Sequence, residues 1–144
     1  MNRYITHLGG PSATILAGLV LVALGGHERR LGIAVLFANI ASHLAVQILK
    51  RVVARPRPCG PDGRFLALID LPDPYSFPSG HAAAAAAVAA TVTLAHPLSG
   101  PLLIPAAAWV AASRVTLKVH HTVDAIAGAG LGVAGALLAQ SLLL

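Results

Sequence analysis

The chain has 144 residues, 56% hydrophobic and only 10% charged, with ten Lys and Arg against five Asp and Glu and a formal net charge of +5. Soluble domains carry roughly a quarter charged residues, so a soluble all-α bundle of this length is excluded: too much apolar surface would remain outside. The basic balance does not point to nucleic acid, because the basic residues cluster beside apolar stretches; membrane lipids and phosphate are the matching partners.

In chain order, residues 11–26, 31–49, 81–95, 101–115 and 122–144 form five apolar stretches with few or no charges. A membrane-spanning helix needs about 17–25 largely apolar residues. The reading is an all-α, polytopic membrane helical bundle of about five transmembrane helices in a single domain, residues 1–144, with the first and fourth as the weakest spans. Residues 1–26 also admit a cleaved signal peptide, with Arg3 as its charged start and residues 15–24 as its core, although Gly9, Gly10 and Pro11 separate the two awkwardly. The last stretch carries Gly128, Gly132 and Ala136 at four-residue spacing. That spacing permits close helix contact, either inside the bundle or at a homodimer seam. Cys59 is the only cysteine, so no intrachain disulfide forms.

The connections are unequal. Residues 25–30 and 96–100 are short polar turns, whereas residues 50–78 hold six of the ten prolines, which excludes a continuous helix there. Loops this long are usually functional or disordered. Within it, residues 65–71 (FLALIDL) suit a lid, a ledge on the membrane interface, or plain packing over the bundle. With five spans, the amino terminus, the long loop and the turn at 118–121 share one face. The titratable residues therefore gather at one membrane surface, the pattern of a site.

Three blocks carry chemistry. The first is KRVVARPRP, residues 50–58, led by Lys50 and Arg57; Asn39, His43, Gln47 and Lys50 stand at helical spacing upstream, a polar stripe expected to face the interior. Arg51 and Arg55 read as cations reaching lipid headgroups. The second is PSGH, residues 78–81. Its glycine lets the backbone approach an anion, and the start of a helix offers unpaired N–H donors and a positive dipole end. Ser79 serves as helix cap, as an extra hydroxyl donor, or as both. The third is SRVTLKVHHTVD, residues 113–124, with Arg114, His120 and Asp124. His120 and Asp124 are four apart, so on a helix the carboxylate accepts from one imidazole nitrogen and leaves the other as a nucleophile or base. His121 reads as an interfacial residue. A zinc site from His81, His120, His121 and Asp124 is disfavoured by three cations on the same face. Phosphoryl transfer needs this set: a nucleophile, an acid for the leaving oxygen, and positive charge around the equatorial oxygens.

These blocks, Lys50–Arg57–Pro58, Pro78–Ser79–Gly80–His81 and Ser113–Arg114–His120–Asp124, resemble in order and spacing the three signature motifs of the type 2 phosphatidic acid phosphatase superfamily, which includes bacterial acid phosphatases and vanadium haloperoxidases. The resemblance covers about residues 31–144. It implies His120 as the nucleophile that forms a phosphohistidine, Asp124 as its orienting carboxylate, and His81 as the acid for the leaving group and then the base for water. Lys50, Arg57, Arg114, Ser79 and the Gly80 amide would hold the phosphate oxygens, with no metal and no cofactor. A site at the membrane interface further implies a lipid phosphate substrate. By analogy, polyprenyl diphosphate or phosphate comes first, ahead of phosphatidylglycerophosphate and phosphatidic acid. A haloperoxidase using the same cradle, and a small non-enzymatic transporter lined by the polar stripe, are the competing readings. The resemblance places the protein in a bacterial cytoplasmic membrane but leaves its orientation open. With the three cradle cations set aside, Arg3, Arg51, Arg55, Arg64 and Lys118 on the site face outnumber Arg29 and Arg30 opposite, a cytoplasmic lean; relatives that recycle lipid carriers face outward.

Overall fold

The computed structural model describes residues 6–70 and 73–144; Arg3 of the basic tally, Leu71 of the FLALIDL stretch and Pro72 lie outside them. Five helices follow in order: α1 Pro11–Leu24, α2 Gly26–Val53, α3 Gly80–Ala95, α4 Gly100–Thr116 and α5 Thr122–Leu143. Single 3-10 turns, Thr6–Gly9 and Pro97–Ser99, precede α1 and α4. Among the described residues the long loop holds only isolated antiparallel bridges, Pro56 with Tyr75 and Cys59 with Phe65.

Three segments are long and apolar enough to cross a membrane: α2 with 28 residues, α4 with its leading turn at 20, and α5 with 22. The short apolar helices are α1 and α3, so the fourth span is stronger than the sequence alone indicates and the third is weaker. Pro97 and Pro101 explain the gain, since proline at the start of a helix costs no hydrogen bond and lets the turn run into α4.

The polyalanine helix α3 is the hub of the bundle. Ala82, Ala83, Ala85, Ala86, Ala87 and Ala89 are all buried, and α2, α4 and α5 pack around them. Small side chains allow this close approach in a membrane, where van der Waals packing replaces the hydrophobic effect as the force between helices. The outer surfaces carry exposed Leu16, Ile40, Leu102, Ile126 and Leu138, as a lipid-facing bundle requires.

The small-residue row on α5 is used inside this chain. A Cβ at Gly128 would strike the Ser79 carbonyl, and one at Gly132 would strike the Ala83 carbonyl and lie 2.8 Å from the Ala87 amide nitrogen; Ala136 is fully buried. This row is therefore unavailable as a homodimer seam. Gly132→Val is expected to destabilise the protein by at least the roughly 1–3 kcal/mol typical of overpacking, because backbone rather than a flexible side chain must yield. A detergent melting curve reads this directly, and an unshifted midpoint would contradict the contact.

The polar stripe on α2 is only partly internal. Asn39 and Lys50 are buried, but His43 is exposed, with Gln47 Nε2 3.3 Å from His43 Nε2. Each four-residue step advances about 40° beyond a full turn, so His43 and Gln47 drift to the rim. Lys50, eleven residues on from Asn39, returns to within about 20° of it. In the long loop, Phe65, Leu66 and Leu68 turn outward while the Leu68 amide donates to the Leu117 carbonyl at 3.1 Å. That arrangement holds the segment against the end of α4 with these apolar side chains facing away from the bundle. At the opposite end, Glu28 and His96 meet at 3.1 Å, joining the first turn of α2 to the end of α3.

Candidate active site

The three blocks converge at one end of the bundle. Lys50 lies in the last turn of α2, Ser79 caps α3, and Arg114 lies in the last turn of α4, with His120 and Asp124 on either side of the start of α5. The Ser79 hydroxyl accepts from the Ala82 amide at 3.4 Å, the capping role. Gly80 and His81 occupy the first helical turn, where amides have no partner four residues back. The Ser79 amide donates to the Asp124 carbonyl at 2.9 Å, which fixes the start of α3 against the start of α5.

His120 is buried, and its Nδ1 lies 2.6 Å from the Ser76 carbonyl. A carbonyl only accepts, so Nδ1 carries the proton and Nε2 is left with its lone pair free. The hydrogen bond expected from Asp124 is not made: Oδ2 stands 3.8 Å from Nδ1. The reason lies in the local fold. α5 begins at Thr122, so His120 precedes the helix, and Asp124 caps it instead. Its Oδ2 accepts from the His121 amide at 2.7 Å and from His121 Nδ1 at 3.1 Å, while its Oδ1 accepts from Arg55 Nη1 at 3.0 Å. Arg55, read from sequence as a headgroup-seeking cation, is thus the ion-pair partner of a fully buried carboxylate. His121, read as interfacial, is the N-cap.

The three cradle cations are deeply placed. Arg57 is 2% exposed, and each of its three guanidinium nitrogens donates once to a protein acceptor: Nη1 donates to the Val119 carbonyl and Nε to the Asp73 carbonyl, both at 2.8 Å. Nη2 donates to Asp73 Oδ1 at 3.1 Å, and Lys50 Nζ donates to Asp73 Oδ2 at 2.6 Å. Arg114 donates through Nη1 to Thr6 Oγ1 at 2.6 Å, while its buried Nε has no partner among the described residues. A buried, unpaired guanidinium N–H is costly. The charges of Arg114, Lys50 and Arg57 reach both His81 and His120.

Sequence reasoning missed four residues: Asp73, Arg55, Ser76 and Thr6. Ser76 is locked by its amide to the Arg55 carbonyl at 2.8 Å and by its hydroxyl to the Pro56 carbonyl at 2.9 Å. The four-residue donor set weighed for zinc does not converge. Among the described residues, the three-donor cluster is His27, Glu28 and His96, at the other end of the bundle.

Burial, followed by the charges of Arg57 and Arg114, pushes the His120 imidazole down to about 3, against a smaller upward pull from the Ser76 carbonyl. His120 therefore stays neutral throughout pH 5–8. Nitrogen-15 NMR of histidine-labelled protein is expected to show no His120 titration across that window, whereas a midpoint near 6.5 would contradict the burial. The linkage has a definite sign. Between about 3 and 6.5 the unfolded chain binds a proton at this position that the folded one does not, so His120 removes stability as pH falls through that range.

Comparison with known proteins finds phosphatases. The chain is 34% identical over 132 residues to decaprenylphosphoryl-5-phosphoribose phosphatase of Mycolicibacterium smegmatis, covering 88% of this chain and 68% of that protein. The Mycobacterium tuberculosis protein of the same name is 37% identical over 82% of this chain and 64% of its own length. Undecaprenyl-diphosphatase of Sulfolobus acidocaldarius is 34% identical over 78% and 55%. This chain thus spans between about half and two thirds of the length of these relatives. The crystal structure of a transmembrane PAP2-type phosphatidylglycerolphosphate phosphatase from Bacillus subtilis superposes with a TM-score of 0.78 at 26% identity, over 97% of this chain and 73% of that one. The family profile of the PAP2 superfamily matches residues 31–143, a stretch that contains all three motif blocks, and the chain belongs to that superfamily.

Proposed function

We propose that this integral-membrane phosphatase removes a phosphate from a polyprenyl-linked phosphate or diphosphate at the surface of a bacterial cytoplasmic membrane, through a phosphohistidine on His120. One observation carries the mechanism. The Nδ1 proton of His120 is held by the Ser76 carbonyl, so Nε2 is left as an unprotonated nucleophile on a ring within the field of the cations. Nε2 attacks phosphorus as the ester or anhydride oxygen leaves, and His81, at the mouth of α3, donates the proton to that oxygen. His81 then takes a proton from the water that attacks the phosphohistidine, which returns His120 and releases inorganic phosphate. Lys50, Arg57, Arg114, Ser79 and the Gly80 amide neutralise the equatorial oxygens, where charge concentrates. Asp124 acts through the backbone by holding the starts of α3 and α5 together.

The substrate class rests on the three sequence relatives, all of which bear polyprenyl names, and on an apolar cavity of about 420 Å³ between α3, α4 and α5. Its lining runs from Ala86 and Ala111, near the site end, to Leu94, Ile104 and Leu137, a surface suited to a hydrocarbon chain. The Bacillus subtilis neighbour favours phosphatidylglycerophosphate as the second reading.

The test is phosphate release in detergent micelles from a prenyl diphosphate, a prenyl phosphate, phosphatidylglycerophosphate, phosphatidic acid and a soluble phosphate ester, with EDTA present throughout. Prenyl substrates are expected to show the highest kcat/KM. A higher value for phosphatidylglycerophosphate selects the second reading, and no release from any of them by folded protein selects the transporter. Activity lost in EDTA and restored by a divalent ion would overturn the metal-free mechanism. The side of the membrane is readable through the exposed Cys59: labelling of intact cells by an impermeant thiol reagent marks an outward site.

A further inference from the structure

The cradle already holds an anion of its own. The Asp73 carboxylate places Oδ2 2.6 Å from Lys50 Nζ and Oδ1 3.1 Å from Arg57 Nη2, spanning two of the three cations assigned above to a phosphate. The cation side chains are 9% and 1% exposed, whereas that of Asp73 is 31% exposed. The carboxylate therefore sits at the mouth, above buried positive charge, with a route to water. The Tyr75 amide donates to its Oδ1 at 2.9 Å, and its backbone carbonyl accepts from Arg57 Nε. The bond to its carbonyl anchors the backbone even when the side chain leaves.

A membrane enzyme with a cationic cradle faces a selection problem. The surrounding headgroups are phosphodiesters, each bearing one phosphate negative charge, at concentrations far above any substrate. A terminal phosphate differs from them mainly by charge, carrying about −1.5 to −2 at neutral pH. A resident carboxylate separates the two. A diester exchanges one unit of negative charge for another and gains little on the cations after its own desolvation. A terminal phosphate brings nearly twice the charge and three strong acceptor oxygens, enough for Lys50, Arg57 and the unpaired Nε of Arg114 together.

We propose that Asp73 is a specificity-determining residue, a resident anion on Lys50 and Arg57 that a terminal phosphate displaces and a phosphodiester headgroup does not. This rests on the phosphatase reading above and names how that site rejects the bulk lipid.

The test uses the full chain in mixed micelles, with a prenyl diphosphate as substrate and phosphatidylglycerol as competitor. Asp73→Asn, nearly isosteric, is expected to lower the inhibitory concentration of phosphatidylglycerol at least tenfold and to lower KM for the substrate. Asp73→Glu, which keeps the charge, is expected to retain most of the wild-type exclusion. Melting temperatures of the variants separate an electrostatic effect from a lost loop contact; if Asp73→Asn proves unstable, Asp73→Ser takes its place in the same assay. Equal phosphatidylglycerol inhibition in wild type and the neutral variant overturns the proposal. So does a neutral variant with normal melting and a kcat reduced more than tenfold, which would make Asp73 part of the reacting machinery. A wild-type protein that releases no phosphate at all fails the phosphatase reading itself, and that result is distinct from either.

Discussion

His120→Ala is expected to lower phosphate release by at least about 10³-fold, the scale seen when an enzyme loses its covalent nucleophile. His120 is 4% exposed, and removing its ring orphans the Ser76 carbonyl, a cost of about 1–3 kcal/mol. The variant could thus lose activity by unfolding alone. His120→Asn meets this difficulty, because its amide N–H₂ can still donate to the Ser76 carbonyl while supplying no nucleophilic nitrogen. Both variants should be inactive, and the asparagine form should melt closer to wild type. The adjacent His121→Ala is the control. It removes a cap on α5, worth about 1 kcal/mol, and should keep turnover well above the His120 variants. With a prenyl diphosphate, whose phosphate leaving group needs little acid help, His81→Ala is expected to slow breakdown of the intermediate more than its formation, so that rapid quenching with labelled substrate traps an acid-labile phosphoprotein that His120→Asn does not form. Turnover by folded His120→Asn would sink the phosphohistidine mechanism.

The parts of this site legible in the sequence are those with a local signature. Apolar runs announced the helices, and the alternation of their directions put the blocks on one face. The glycine and proline of PSGH announced a helix start. The contacts that were not legible join residues far apart in sequence, three of them through the irregular loop, Arg55 to Asp124 across 69 positions, Ser76 to His120 across 44 and Lys50 to Asp73 across 23, and one from α4 to the turn before α1, Arg114 to Thr6 across 108. A loop has no period, so nothing in the order of its residues says which side chain turns inward. The four-residue spacing of His120 and Asp124 misled for a related reason. It predicts a shared helix face only if both residues are helical, and the helix begins between them. Asp124 then serves its own helix end, and a loop carbonyl takes over the imidazole.

Arg55 carries the second large effect. Its guanidinium is the cationic side chain on Oδ1 of Asp124, whose side chain is 0% exposed. Breaking a buried pair by removing one partner costs about 3–5 kcal/mol, chiefly because a charge is left uncompensated. Arg55 is itself 37% exposed, so water replaces part of what it supplies, and Arg55→Ala is expected at or below the low end of that range. The loss should fall on catalysis as well as stability, because the Asp124 backbone carbonyl holds the Ser79 amide and through it the start of α3 beside His81. A double-mutant cycle separates this account from a headgroup role. Once Asp124→Asn has neutralised the carboxylate, Arg55 has no charge left to balance, so adding Arg55→Ala should cost far less than it does in the wild-type background. Arg55→Lys, which keeps a cation within reach, should recover part of the stability. If the two single losses simply add, Arg55 acts on lipid and not on Asp124. A strong negative coupling, with kcat recovering alongside the melting temperature in the lysine variant, would show that the cation holds the α5 cap, and with it the phosphate end of α3, in place.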